Sequence, residues 1–145
     1  EEAGMELEQV VETVDAYIES QHTYFVLENL ETLRKNGRLS RVKALVASAL
    51  KIKPVMGSTP EGTIYQLDQA RGINKALVKM VDYVKEGENN SSDKVLAISH
   101  CNCPERAQMV KEALLERMQV KDVIILDTAG VSSMYANDGG IIVVL

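Results

Sequence analysis

Apolar residues near the amino end recur every three or four positions. Leu7, Val10, Val11, Val14, Tyr17 and Ile18 fall on one stripe, which predicts a helix from about Met5 to Ser20 whose apolar face something must cover. The β-branched and aromatic run "TYFVL" then predicts a short strand, and "ENLETLRKNG" a brief helix with Gly37 as its C′ residue. Ser40 is placed to cap a further helix in which Val42, Leu45, Val46, Ala49 and Leu50 share a face. The alternation in "IKPVMGSTPEGTIYQLDQA" breaks at Pro60-Glu61-Gly62, so a hairpin is expected, with strands near Lys53 to Gly57 and Thr63 to Asp68. Pro54 puts the first of these at a sheet edge or at a strand start.

Ile73, Leu77, Met80, Val81 and Val84 mark another helix, ended by Gly87, and "EGENNSSD" reads as a surface loop. "KVLAISH", "PERAQMVKEALLERM" and "DVIILD" have the lengths of a strand, crossover helix and strand, the pattern of a right-handed βαβ unit. "TAGVSSMYANDGG" has the composition of a loop between strands, and "IIVVL" closes the chain as a buried strand. The fold class that follows is α/β: a mixed β-sheet with packed helices and one βαβ unit toward the carboxyl end.

A length of 145 residues suits one domain with a real core, and 46% hydrophobic with 26% charged residues is globular usage. The formal charge of −5 supplies no field to attract nucleic acid or anionic lipid, although a local basic pocket for one anion is compatible with it. No apolar run is long enough to span a bilayer. The amino end shows no leader pattern, and two cysteines spaced C-x-C cannot staple a secreted fold, so the expected setting is a reducing cytoplasm.

Those cysteines sit in "AISHCNCPERA". Pro104 suits the first helical position and Cys103 the N-cap, so the stretch reads as the βα corner of the βαβ unit. A closed zinc site needs four ligands, and a second ligand pair is missing because His22 is remote and has no cysteine near it. No metal or cofactor is expected. Cys103 at a helix amino end could have a lowered thiol pKa and act as a reactive thiol, which is one alternative to an architectural corner. His100, at a strand's carboxyl end, is a candidate for a ligand site because ligands of open α/β sheets collect there.

Two arginines stand at backbone corners: Arg38 follows Gly37 in "NGRLSR", and Arg71 precedes Gly72 in "QARGINKA". An arginine aimed by such a turn presents a planar fork to a carboxylate or phosphate; the alternative is an ordinary ion pair with one of the 21 acidic residues. No G-x-S-x-G, P-loop or G-x-G-x-x-G is present, so the residues point to binding and not to catalysis.

Taken together, "YFVLENLETLRKNGRLSRVKALVASALKIKPVM", "GTIYQLDQARGINKAL", "AISHCNCPERA" and "GVSSMYANDGGIIVVL" resemble the carboxyl-terminal domain of the DegV family, from about residue 5 to the end. The resemblance implies that residues 1–145 form one such domain, without the family's amino-terminal domain. It also implies a long-chain fatty acid as ligand, held in a tunnel between the two domains with its carboxylate on polar residues. Some family members are the binding subunit of a bacterial fatty acid kinase and present the acyl carboxylate to a separate ATP-binding kinase subunit. Such a protein is a carrier, with no catalytic role of its own.

On this resemblance Arg38 and Arg71 match basic residues near the carboxylate or the kinase contact, and Ser40, Lys53, His100, Tyr135 and Asn137 are further candidates. Many members carry a His before Gly-Pro-Gly in the last loop; this chain has Tyr135, Ala136 and Asn137 there, so Tyr135 or Asn137 is the expected substitute donor. The alternative function is an interaction or dimerisation module without its own ligand, and self-association of the isolated domain is expected if the apolar wall is uncovered.

Overall fold

A computed structural model describes residues 4–39, 51–88 and 90–145. The helix expected over Val42 to Leu50, with Ser40 as its cap, lies outside the described residues. In chain order the elements are α1 (Leu7–Glu19), β1 (Thr23–Val26), α2 (Glu31–Lys35), β2 (Ile52–Ser58), β3 (Ile64–Arg71), α3 (Ile73–Gly87), β4 (Val95–His100), α4 (Pro104–Leu115), β5 (Asp122–Asp127), α5 (Gly130–Ala136) and β6 (Ile141–Val144).

The strands form one mixed sheet in the order β3-β2-β1-β6-β4-β5, with β4 and β5 parallel and every other pairing antiparallel. The βαβ unit predicted from length is β4-α4-β5. Because side chains alternate across a strand, Tyr24 and Val26 enter one core while Phe25 and Leu27 enter another on the opposite face. The first core packs Val55, Leu96, Ile98, Ile141 and Val143 against α3 (Leu77, Met80, Val81, Val84) and α4 (Val110, Leu114). The second joins Phe25 and Met56 to Leu33, Leu39 and Ala136. Burying each large aliphatic side chain contributes about 1.5–3 kcal/mol, so the first core supplies most of the stabilisation.

Three expectations need correction. The strand holding Pro54 is interior, between β3 and β1, and it starts two residues earlier. Proline is tolerated because pairing with β1 reaches only Gly57 and Met56, so the β1 side of the strand carries no ladder at Pro54. The segment before the last strand contains a helix, α5, because buried Ala136 and half-buried Tyr135 dock against the second core. The apolar stripe of α1 is uncovered: among the described residues nothing buries any of its side chains.

At the sheet end where β1 and β4 begin, the Glu88 side chain is only 3% exposed. His22 Nδ1 lies 2.5 Å and Lys94 Nζ 2.8 Å from its two oxygens, so the buried carboxylate is paired on both sides. Burial and then the charge of Glu88 push the nearby Tyr24 hydroxyl up to about 12.

Candidate functional site

The register brings the other ends of the strands together. Arg71 pairs with Ile52, Val26 with Ile141, Ile141 with His100, and His100 with Asp127, so the ends of β1, β3, β4 and β5 meet the starts of β2 and β6 at one edge of the fold. Arg71 and His100 end their strands at this edge and Lys53 lies next to Ile52, whereas Arg38 follows α2 and is placed by that helix.

Each arginine corner has its expected glycine. Gly37 has φ +70°; its amide donates to the Arg34 carbonyl at 3.1 Å and the Arg38 amide to the Leu33 carbonyl at 2.9 Å, a Schellman ending that leaves Arg38 exposed. Gly72 has φ +88°, and its amide donates to the Lys51 carbonyl at 2.8 Å, turning the chain from Arg71 into α3. Among the described residues, neither guanidinium makes an ion pair.

Lys53 is engaged: its ammonium lies 2.7 Å from a Glu28 carboxylate oxygen and donates to the Glu28 carbonyl at 2.5 Å. Arg106, in the first turn of α4, reaches the other Glu28 oxygen at 3.1 Å and donates to the Gly139 carbonyl. Burial pushes the Glu28 carboxyl up, but the hydrogen bond and charge of Lys53 and the charge of Arg106 outweigh it and hold the group below its usual range. Sequence reasoning missed Glu28 and Arg106, since an acidic residue in a turn and an arginine in a helix carry no motif.

His100 is the last residue of β4 and 6% exposed, so it is a buried strand residue and not a loop histidine. Its Nδ1 is 3.4 Å from the Cys103 amide and 3.4 Å from a carboxylate oxygen of Asp127, a side chain that is 84% exposed. A neutral Nδ1 accepts from the amide, while a protonated one pairs with the carboxylate.

The cysteine corner is architecture. Cys103 is the residue before α4 and Pro104 its first residue, as expected. The Cys101 amide donates to the Gly140 carbonyl at 3.0 Å, and the Gly139 amide to the Cys101 carbonyl at 2.8 Å. Burial pushes the Cys103 thiol up, against the opposing charge of Arg106, which contradicts the lowered pKa that a reactive thiolate needs. Among the described residues no group of three or more His, Cys, Asp or Glu is placed to hold a metal ion.

Tyr135 is half-buried against the second core, and Asn137, at φ +56°, uses its amide nitrogen on the Tyr135 carbonyl at 3.0 Å. Arg71 ends β3 at this sheet edge and Arg38 is exposed at the end of α2; among the described residues neither is in an ion pair, and a guanidinium so placed can present a planar fork to a carboxylate or other small anion. No helix among the described residues is long and apolar enough to cross a membrane.

The family model described as "Uncharacterised protein, DegV family" matches residues 1–145. A DegV domain-containing protein of Streptococcus pneumoniae is 34% identical over 140 residues, 96% of this chain and 49% of the relative. A solved DegV family protein from Ruminococcus gnavus, refined with vaccenic acid, is 61% identical with a TM-score of 0.93, over 99% of this chain and 51% of that one. The Fatty Acid Kinase (Fak) B3 protein of S. pneumoniae, loaded with linoleic acid, is 31% identical with a TM-score of 0.84, over 98% and 50% of the two chains. The chain thus spans about half the length of the relatives it matches. Sequence match, strand order and the six-stranded mixed sheet with its helices agree: this chain belongs to the DegV family.

Proposed function

We propose that this chain is a lipid-binding domain that contributes one side of a fatty acid site lying between two domains, and that it presents the acyl carboxylate to a separate kinase subunit. The observation that carries the reading is the fatty acid held by a solved relative 61% identical over 99% of this chain. The geometry supports it through Arg38, exposed at the end of α2, and Arg71, at the end of β3, neither of which makes an ion pair among the described residues. Each buried methylene contributes about 0.8 kcal/mol, so a long acyl chain supplies most of the affinity while the guanidiniums orient the carboxylate. The role is carriage in a reducing cytoplasm, with phosphoryl transfer left to the ATP-binding partner. Lys53 and His100 are assigned supporting roles, because one is paired and the other buried.

Native mass spectrometry of the intact protein purified from cells tests this. A fatty acid adduct is expected, and replacing Arg38 and Arg71 by Glu is expected to remove it. A protein without adduct that also fails to take up oleate would end the reading.

The exposed stripe of α1, with Val11, Val14, Tyr17 and Ile18, favours a second reading as an interaction or dimerisation module. Under that reading V14E abolishes self-association, measured by sedimentation, and R38E leaves it intact.

A further inference from the structure

We propose that Glu28 is the positioning residue of the sheet-edge site, the single carboxylate that sets the relative placement of the three segments carrying its candidate ligand-binding groups. This rests on the lipid-binding reading above. Glu28 lies in the turn between β1 and α2, the helix whose ending presents Arg38. One of its oxygens meets Lys53 of β2 at 2.7 Å, one residue along from Ile52, the strand partner of Arg71. The other meets Arg106 at 3.1 Å, and Arg106 donates onward to the Gly139 carbonyl, in the loop that follows Tyr135 and Asn137.

Three features distinguish this cluster from a surface ion pair. The side chains are mostly covered, at 32% exposure for Glu28, 21% for Lys53 and 22% for Arg106, so solvent screens them less than a surface pair. Lys53 holds the Glu28 backbone carbonyl as well as its carboxylate, which fixes the turn and not merely the side chain. Gly139, at φ +86°, is shaped for the contact: a β-carbon there would stand 2.6 Å from Arg106 Nη1 and 3.0 Å from Glu28 Cγ.

The cluster also divides the cations of the site. Glu28 occupies Lys53 and Arg106, whereas among the described residues Arg38 and Arg71 make no ion pair and stay open to an anionic headgroup. A neutral isostere at position 28 removes the attraction for both partners, so the turn, the β2 start and the Gly139 loop lose their common tether.

The test uses the intact protein with ¹⁵N-labelled Gly and Arg, comparing wild type, E28Q and E28D, with oleate as probe. In E28Q the Gly139 amide and Arg106 Nε signals are expected to move and the oleate Kd to rise about tenfold, the effect of losing roughly one charge-assisted hydrogen bond. E28D, which keeps the charge, is expected to restore most of the affinity; a residue that only filled space would show no such rescue. Wild-type binding with an unchanged Kd in E28Q, or E28Q signals identical to wild type, overturns the positioning role alone. Wild-type protein that does not bind oleate overturns the lipid reading, and the positioning role with it.

Discussion

Replacing Gly139 by Ala probes the contact that ties the last loop to α4. Two costs arise. At φ +86° a β-carbon strains the backbone by about 1–2 kcal/mol. The new methyl would also stand 2.6 Å from Arg106 Nη1, and the guanidinium, the free end of a flexible side chain, must withdraw from the Gly139 carbonyl. Losing a hydrogen bond from a charged donor costs about 1.5–3 kcal/mol, for a total of about 2.5–5 kcal/mol. In a domain of this size each kcal/mol lowers Tm by roughly 2–4 °C, so calorimetry should show a loss of roughly 5–20 °C. Gly62→Ala is the control: its φ of +75° is similar, but nothing lies within 4 Å of the added carbon, so only the strain of about 1–2 kcal/mol remains. In an Arg106→Met background the extra cost of Gly139→Ala should vanish, giving a coupling of about 1.5–3 kcal/mol in the double-mutant cycle. Equal losses for Gly139→Ala and Gly62→Ala, or zero coupling, would refute the reasoning.

Gly140→Ala should be harsher than its neighbour, since its β-carbon would collide with the Ala136 carbonyl oxygen, a backbone atom that cannot swing aside; urea melts compare the two. Leu96→Ala removes a fully buried side chain facing α3 and α4 and should cost about 2–5 kcal/mol, read from the same melts. Glu28 is held low by Lys53 and Arg106 and Asp68 by the Lys79 hydrogen bond, so their stabilisation is complete above the ordinary carboxylate range and is lost as pH falls through their lowered folded values. Melts from pH 7 down to about 3 should therefore show falling stability with a shallower slope in Glu28→Gln, and a flat or rising profile would contradict this. Cys103, its thiol pushed up by burial, should react with iodoacetamide at neutral pH more slowly than free cysteine, measured in a Cys101→Ser variant.

Much of this fold was legible because its signals are local. The three-four spacing of Leu77, Met80, Val81 and Val84 needs only helix geometry, and the β-branched and aromatic run through Tyr24 to Leu27 needs only strand preference, while its division between two cores came from the structure. Gly37 and Gly72 announced left-handed corners, and both have positive φ. The family resemblance carried the lipid reading, which composition by itself does not suggest.

The sequence by itself determined which residues share a face of a helix, where the turns fall and that the class is α/β, because periodicity and turn chemistry act over a few residues. Only the tertiary structure decided that Pro54 lies in an interior strand, that α5 forms against the second core and that α1 keeps an open stripe. It also decided which charges are spent: Glu28 meets Lys53 and Arg106, and Glu88 meets His22 and Lys94. These pairs join residues far apart along the chain, and the physical reason they escape a linear reading is that strand order and register, not spacing, bring such groups within hydrogen-bonding distance.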